Sequence, residues 1–196
     1  MKIKLPLTRL SVFAVIVAGL MGTIGVTPGS ASGGTSPWTS VGSTGIVDET
    51  DAGHAALGTC APPWTIPIGY LGPCVQVVGG PLPYTITMRY QLEDTGIFPG
   101  PANLTARFRD NGSQAQVYLY LRKVDLGTGA MSTVLTLDSN AFAPSTSLQT
   151  ENANACESGQ GFDFTHYSYF IEARLTKSSS AGAPALEFVE AQGIVC

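Results

Sequence analysis

The chain has 196 residues, a formal net charge of −4 and only 12% charged side chains. That length suits one ordinary domain plus a short leader, and the acidic balance repels phosphate backbones, which argues against a nucleic-acid partner.

In chain order, the first element reads as a targeting segment. Lys2, Lys4 and Arg9 give a basic start, the stretch from Leu10 to Leu20 is apolar, and small residues follow at Gly29, Ser30, Ala31 and Ser32. A basic start, a short apolar run and a small-residue exit predict a secretory signal peptide over 1–31, cleaved near Ala31. A retained membrane anchor is the competing reading. Gly19, Gly22, Thr23 and Gly25 dilute the run below what a spanning helix needs, so no membrane partner is expected after cleavage. The remaining chain then carries seven basic against fourteen acidic residues, a net charge of −7. The predicted location is secreted, outside the cell.

Residues 32–45 are rich in Gly, Ser and Thr and predict a flexible lead-in. A domain over 46–196 follows, and there alternation dominates. In "YTITMRYQL", Tyr84, Ile86, Met88, Tyr90 and Leu92 share one face while Thr85, Thr87, Arg89 and Gln91 share the other, the period of a half-buried strand. Further strands are predicted at Val75–Val78, Phe162–Phe164, Tyr167–Thr176 and Leu186–Val195, with a short one at Thr44–Val47. Asn111-Gly112 is the strongest short hairpin signal, because a type I′ turn needs positive φ at both central positions. Folded there, Phe108 meets Ala115, Ala106 meets Val117 and Leu104 meets Leu119, all apolar. A second turn at Gly127-Thr128-Gly129 pairs Leu121 with Leu135 and Leu119 with Leu137, so Asn103 to Leu137 reads as a three-stranded meander. Seven to nine short strands must cover their apolar faces, and a second sheet does so. The expected fold is all-β, an antiparallel β-sandwich, either immunoglobulin-like or jelly-roll.

Four cysteines in an exported chain predict two disulfides. Of the three pairings, Cys60–Cys74 and Cys156–Cys196 are favoured: the first closes a short proline-rich loop, the second ties the last residue to an interior loop. A zinc site is disfavoured, because no C-x-x-C occurs and there are only two histidines.

Catalytic motifs are missing: no H-E-x-x-H, no G-x-S-x-G and no G-x-x-x-x-G-K is found. The reading leans away from an enzyme. His54 and His166 are the available neutral-pH bases; His166 beside Asp163 is the candidate for a small hydrolase. Glu172, Glu187 and Glu190 are candidates for the carboxylate pair that glycoside hydrolysis needs, although Glu172 beside Arg174 reads as an ordinary ion pair. Asp48, Glu49 and Asp51 form a candidate site for a structural calcium, with Asp138 and Asn140 a second such cluster; neither has the EF-hand spacing. No other cofactor is expected.

Two features point to binding. The segment "CAPPWTIPIGYLGPC" carries Trp64, Ile66, Ile68, Tyr70 and Leu71 without a charge. A stiff apolar loop of this kind suits a partner contact, a protease-inhibitor loop or a plug for the sandwich end. Tyr118 and Tyr120, grouped with Arg107 and Arg122 on the outward row of the expected hairpin, make a candidate glycan-stacking surface. Asn103-Leu-Thr and Asn111-Gly-Ser match the glycosylation acceptor pattern. The expected function is that of a secreted, non-catalytic binding or structural module with an extracellular protein or glycan as partner. The alternatives are a carbohydrate-binding module and, further off, a small hydrolase or protease inhibitor.

Overall fold

The computed structural model of the chain describes residues 37–58, 73–94, 96–97 and 99–196. Eleven strands are found among them: β1 (Trp38–Val41), β2 (Ile46–Val47), β3 (Ala55–Gly58), β4 (Cys74–Val77), β5 (Tyr84–Leu92), β6 (Ala102–Asp110), β7 (Ala115–Asp125), β8 (Met131–Asp138), β9 (Ser145–Asn154), β10 (Tyr167–Lys177) and β11 (Ala185–Gly193). Alternation produces them. In β5, Ile86, Met88, Tyr90 and Leu92 are buried while their neighbours Thr85, Arg89 and Gln91 are exposed. In β7, Ala115, Val117, Leu119 and Leu121 are all buried, a period of two that only a strand satisfies.

The strands form two antiparallel sheets. One has the order β3-β4-β11-β6-β9 with β1 added beside β11; the other has the order β2-β5-β10-β7-β8. Counting only β4 to β11, the orders are first-eighth-third-sixth and second-seventh-fourth-fifth, which is the jelly-roll arrangement of two Greek keys. The inner rows meet in one core, built from Val75, Leu104, Phe108, Leu186 and Val189 on the six-stranded side and Met88, Leu119, Leu121, Ile171 and Leu175 on the other. Each such side chain contributes roughly 1.5–3 kcal/mol on burial.

The jelly roll corrects the meander expected at 103–137. Its second half is right: β7 pairs with β8, with Leu119 opposite Leu137 and Leu121 opposite Leu135. Its first half is not. β6 pairs with β11 and β9 in one sheet, and β7 pairs with β10 and β8 in the other, so Asn111-Gly112 is an arch between sheets. Of the two turn residues only Gly112 has positive φ, at 107°; a type I′ turn is therefore absent. The matched apolar rows do face each other, but across the core and not along a ladder. Asn111 instead fastens the arch, its Nδ2 donating to Ala181 O at 2.8 Å and its Oδ1 accepting from Ala183 N at 2.8 Å. Asp110 takes the Gly112 N–H at 2.9 Å and the Ser139 hydroxyl, and Ser139 Oγ accepts from Val117 N at 2.9 Å, a buried polar bridge from β6 to the opposite sheet.

Three strands went unpredicted: β1, which lies inside the stretch read as a flexible lead-in, together with β3 and β9. Residues Phe162–Phe164 form no strand. Gly161 makes one isolated bridge to Pro101, and the two phenyl rings stack at 5.8 Å against Tyr169; their alternation reflects ring packing at the sandwich end. The glycosylation pattern at Asn103 falls on a residue only 7% exposed.

β1 and β4 share one side of β11: β4 takes Ala185 and Leu186, β1 takes Phe188 to Ala191. Gly42 sits at the junction. A Cβ there would lie 2.1 Å from Leu186 O, so only glycine fits. Tyr90, in the opposite sheet, donates its hydroxyl to Gly42 O at 2.7 Å and straps the sheets together. Cys156 and Cys196 are bonded, as expected, closing a 40-residue separation. Cys74 is also disulfide-bonded; Cys60, the partner expected for it, lies outside the described residues.

Two measurements follow. Burial pushes the Tyr90 phenol well above the usual tyrosine range. A raised folded-state value means the unfolded chain gives up that proton first, so stability is unaffected below about pH 10 and falls as pH rises beyond it. Tyr90→Phe should cost about 1–3 kcal/mol at neutral pH, from the stranded Gly42 carbonyl, and should flatten the alkaline decline measured by urea unfolding. Replacing Cys156 and Cys196 together by serine should cost about 4 kcal/mol by the chain-entropy account, read from the same unfolding curves.

Candidate functional site

Three neighbouring strands of the five-stranded sheet, β5, β10 and β7, place their outward rows side by side. Glu172 on β10 lies opposite Arg89 on one side and Tyr120 on the other; Arg174 lies opposite Tyr118, and Phe170 lies between Gln91 and Arg122. The sequence puts these residues outward for the same reason that it puts Tyr169, Ile171, Ala173 and Leu175 inward: they alternate.

The centre of the face is ionic. Glu172 is only 6% exposed. Its Oε1 accepts from Arg174 Nη2 at 2.7 Å and Nε at 2.9 Å, with Arg122 Nη2 at 3.7 Å; its Oε2 faces Arg89 Nε at 3.9 Å. Arg89 in turn reaches Asp48 at 3.4 Å. Exposed ion pairs are worth about 0.2–1 kcal/mol each, but one shielded carboxylate holding several guanidinium groups fixes their positions.

Around this lies an aromatic pad. Tyr118 and Tyr120 rings sit 4.5 Å apart at 37°. The guanidinium carbons of Arg122 and Arg174 lie 4.3 and 5.0 Å from the Tyr120 centroid, within cation–π range. Arg122 Nη1 also donates to Thr133 Oγ1, while its buried Nε finds no hydrogen-bond acceptor among the described residues. Tyr120 is thus a support beneath two arginines. On the β5 side of the face a groove of about 290 Å³ runs between Ile46, Asp48, Arg89, Gln91 and Phe170, with Ile46 77% exposed. Enclosed small-molecule pockets run from roughly 300 to 1,000 Å³, so this shallow groove suits a chain laid across the surface.

Of the residues grouped from sequence as a glycan surface, Tyr118, Tyr120 and Arg122 are together and Arg107 is not. Arg107 belongs to β6 in the other sheet, where it pairs with Glu187 at 3.0 Å. It had been grouped with them only through the hairpin that does not form. Phe170, Arg89 and Gln91 fall outside that grouping, as do Glu172 and Arg174, whose ion pair expected from sequence is present at 2.7 Å. Their rows were legible in "YSYFIEARL" and "YTITMRYQL", but nothing local says that β5, β10 and β7 are neighbours.

The other candidates divide. Asp48, Glu49 and Asp51 do not gather. Asp48 serves Arg89, while Asp51 accepts from Thr87 N at 2.8 Å and the Tyr84 hydroxyl at 3.1 Å. Burial and the Asp51 carboxylate together raise the Tyr84 phenol. Asp138 is taken by Gln116 Nε2 at 2.9 Å and Asn140 N at 3.0 Å. No group of three potential metal-ligating side chains converges among the described residues. His54 packs on the Tyr84 ring at 4.1 Å. His166 does meet Asp163, with Nδ1 2.7 Å from Oδ2, and this contact holds the Asp163 carboxyl below the usual carboxylate range. The pair is solvent-exposed in a turn, His166 at 71%, and carries none of the shielding that a tuned general base needs. Glu187 and Glu190 lie on β11, in the sheet opposite Glu172, so the three cannot flank one bond. Trp64, Ile66, Ile68, Tyr70 and Leu71 lie outside the described residues.

No protein-family model matches the chain, and no curated protein matches it. Among solved structures, the chain is similar to the CBM36-1 domain of a multidomain xylanase from the hindgut metagenome of Trinervitermes trinervoides, at 12% identity over 82% of this chain and 100% of that one, with a TM-score of 0.46. It is similar to a family 35 carbohydrate binding module from Clostridium thermocellum at 17% identity, over 81% and 99% of the two chains, with a TM-score of 0.41. A further neighbour is the K1 cleaved adhesin domain of Lys-gingipain from Porphyromonas gingivalis W83, at 13% identity over 82% and 99%, with a TM-score of 0.46. At such identities no residue or ligand is carried over from them.

The ionic centre has a signature that can be measured. Glu172→Gln leaves Arg89, Arg122 and Arg174 without their shared carboxylate. It should lower stability by about 1–3 kcal/mol at low salt, and the loss should shrink as salt screens the repulsion between the guanidinium groups. A loss independent of salt would mean that Glu172 acts by packing alone.

Proposed function

We propose that the protein is a non-catalytic carbohydrate-binding module acting outside the cell, and that it binds through the outer face of the five-stranded sheet. The observation that carries this reading is the outward placement of Tyr118 and Phe170 on neighbouring strands of one sheet face, with Tyr120 supporting Arg122 and Arg174 between them and Arg89 and Gln91 alongside. A sugar ring presents an apolar C–H face edged with hydroxyls. The electron-rich face of an aromatic ring receives the first, and guanidinium and amide donors receive the second. A sheet surface holds both at fixed spacing, so little entropy is lost on binding. The shallow groove beside Phe170 suits a polysaccharide strand. Disulfide bonding supports an extracellular setting, and the predicted signal peptide agrees with it.

The test is affinity electrophoresis against a panel of plant and microbial wall polysaccharides. Tyr118→Ala with Phe170→Ala should keep the wild-type melting temperature within a few degrees and weaken binding at least tenfold, which is about 1.4 kcal/mol. Tyr120 is spared because it supports the arginines. Binding undiminished in that double variant would sink the assignment to this face.

A further inference from the structure

We propose that the glycan taken by this face is N-acetylated, and that the groove on the β5 side holds the acetamido group of one of its sugars; the proposal rests on the carbohydrate-binding reading above. Two apolar side chains frame that groove. Ile46 stands opposite Arg89 on the outward row, and Phe170 lies beside Gln91; Asp48, Arg89 and Gln91 complete the lining. Charge is balanced there. Arg89 is met by Asp48 at 3.4 Å and by Glu172 at 3.9 Å, and Gln91 is neutral. A charged ligand finds no unmatched partner in such a groove, whereas an uncharged one needs none.

The amide of Gln91 decides what that ligand must offer. Its Nε2 donates to Tyr169 O at 3.0 Å, Ser168 Oγ at 3.1 Å and Leu92 O at 3.3 Å. Two of those three are backbone carbonyls, which only accept, so the nitrogen has to face them. In a planar amide Oε1 then points the other way, and it has no hydrogen-bond partner among the described residues. A fixed acceptor beside two apolar side chains suits a group that carries a donor and a methyl together. A hydroxyl brings the donor without the methyl, and an ester-linked acetyl brings the methyl without the donor. An acetamido group brings both: its N–H reaches Gln91 Oε1, and its methyl covers Ile46 and Phe170, taking their apolar surface out of water. At about 290 Å³ the groove is near the lower end for small-molecule sites, roughly 300–1,000 Å³. That is room for one sugar, while the chain continues over Phe170 towards Tyr118.

The experiment is titration calorimetry of the full chain against matched glycans. Chitotetraose is compared with cellotetraose, which differs only in a hydroxyl for the acetamido group at each C2. Peptide-free glycan strands of bacterial wall are compared with the same strands after N-deacetylation. The acetylated member of at least one pair should bind at least tenfold tighter, as one apolar group in a fitted pocket allows, and the pair that responds tells the source. Ile46→Ser, at an exposed position on the edge strand β2, and Gln91→Leu should each bring that ratio towards one. Gln91 also ties β5 to β10, so Ile46→Ser decides if Gln91→Leu fails to fold. Unacetylated members bound as tightly as acetylated ones overturn the proposal, and so does a preference that Ile46→Ser leaves intact. Binding of another neutral wall polysaccharide when neither acetylated glycan is bound overturns it as well. In each of these cases the carbohydrate-binding reading survives; no binding to any glycan removes both.

Discussion

The two-residue period of β10 is the constraint on which the core and the face both rest. Tyr169, Ile171, Ala173 and Leu175 point inward and are at most 1% exposed, while Phe170, Glu172 and Arg174 point outward from the same backbone. β10 is the middle strand of its sheet, with β5 on one side and β7 on the other, so its register sets both neighbours. A slip of one residue would bury Glu172 and Arg174 in the core and expose four apolar side chains at once. Such an error costs more than a typical domain's whole stability of 5–15 kcal/mol. The arrangement of charge on the face is therefore locked by the hydrophobic core beneath it, with no need for strong ion pairs to hold it.

The individual strands were legible because burial on one side writes itself as alternation. Tyr84–Leu92 was recovered residue for residue, and β10 and β11 to within a residue or two. Strand β9 was not, because Ser145–Asn154 is an edge strand in which most positions are polar and partly exposed; a strand with no buried row has no pattern to read. β1 hides in a Gly, Ser and Thr-rich stretch, since its pairing with β11 is made by backbone groups that any sequence supplies. Partnership was harder still. The rows around Asn111-Gly112 match whether the strands lie side by side or face to face, and only the rest of the topology chooses. Jelly-roll connectivity sends nearly every successive strand to the opposite sheet, so the premise of the hairpin rule does not hold at Asn111-Gly112.

The site suffered the same ambiguity in another form. Tyr118, Tyr120 and Arg122 share one strand, and a single row suffices to group them. Arg107 was joined to them through the false hairpin, and Phe170, Glu172, Arg174, Arg89 and Gln91 were left out because their proximity is set by pairings between β5, β10 and β7, across up to 91 residues in the Thr85–Thr176 hydrogen bond.

The position of β11 carries a consequence for how the molecule comes into being. It is the last of the described strands, yet it lies inside the six-stranded sheet, with β4 and β1 along one side and β6 along the other. While a ribosome is still holding the segment beyond Lys177, β6 lacks one neighbour, and β1 lacks the only strand it pairs with among those described. Half-built sheets with open edges cannot close a core, and contacts this distant in sequence form slowly. The core therefore closes only when β11 enters the gap between β6 on one side and β4 and β1 on the other.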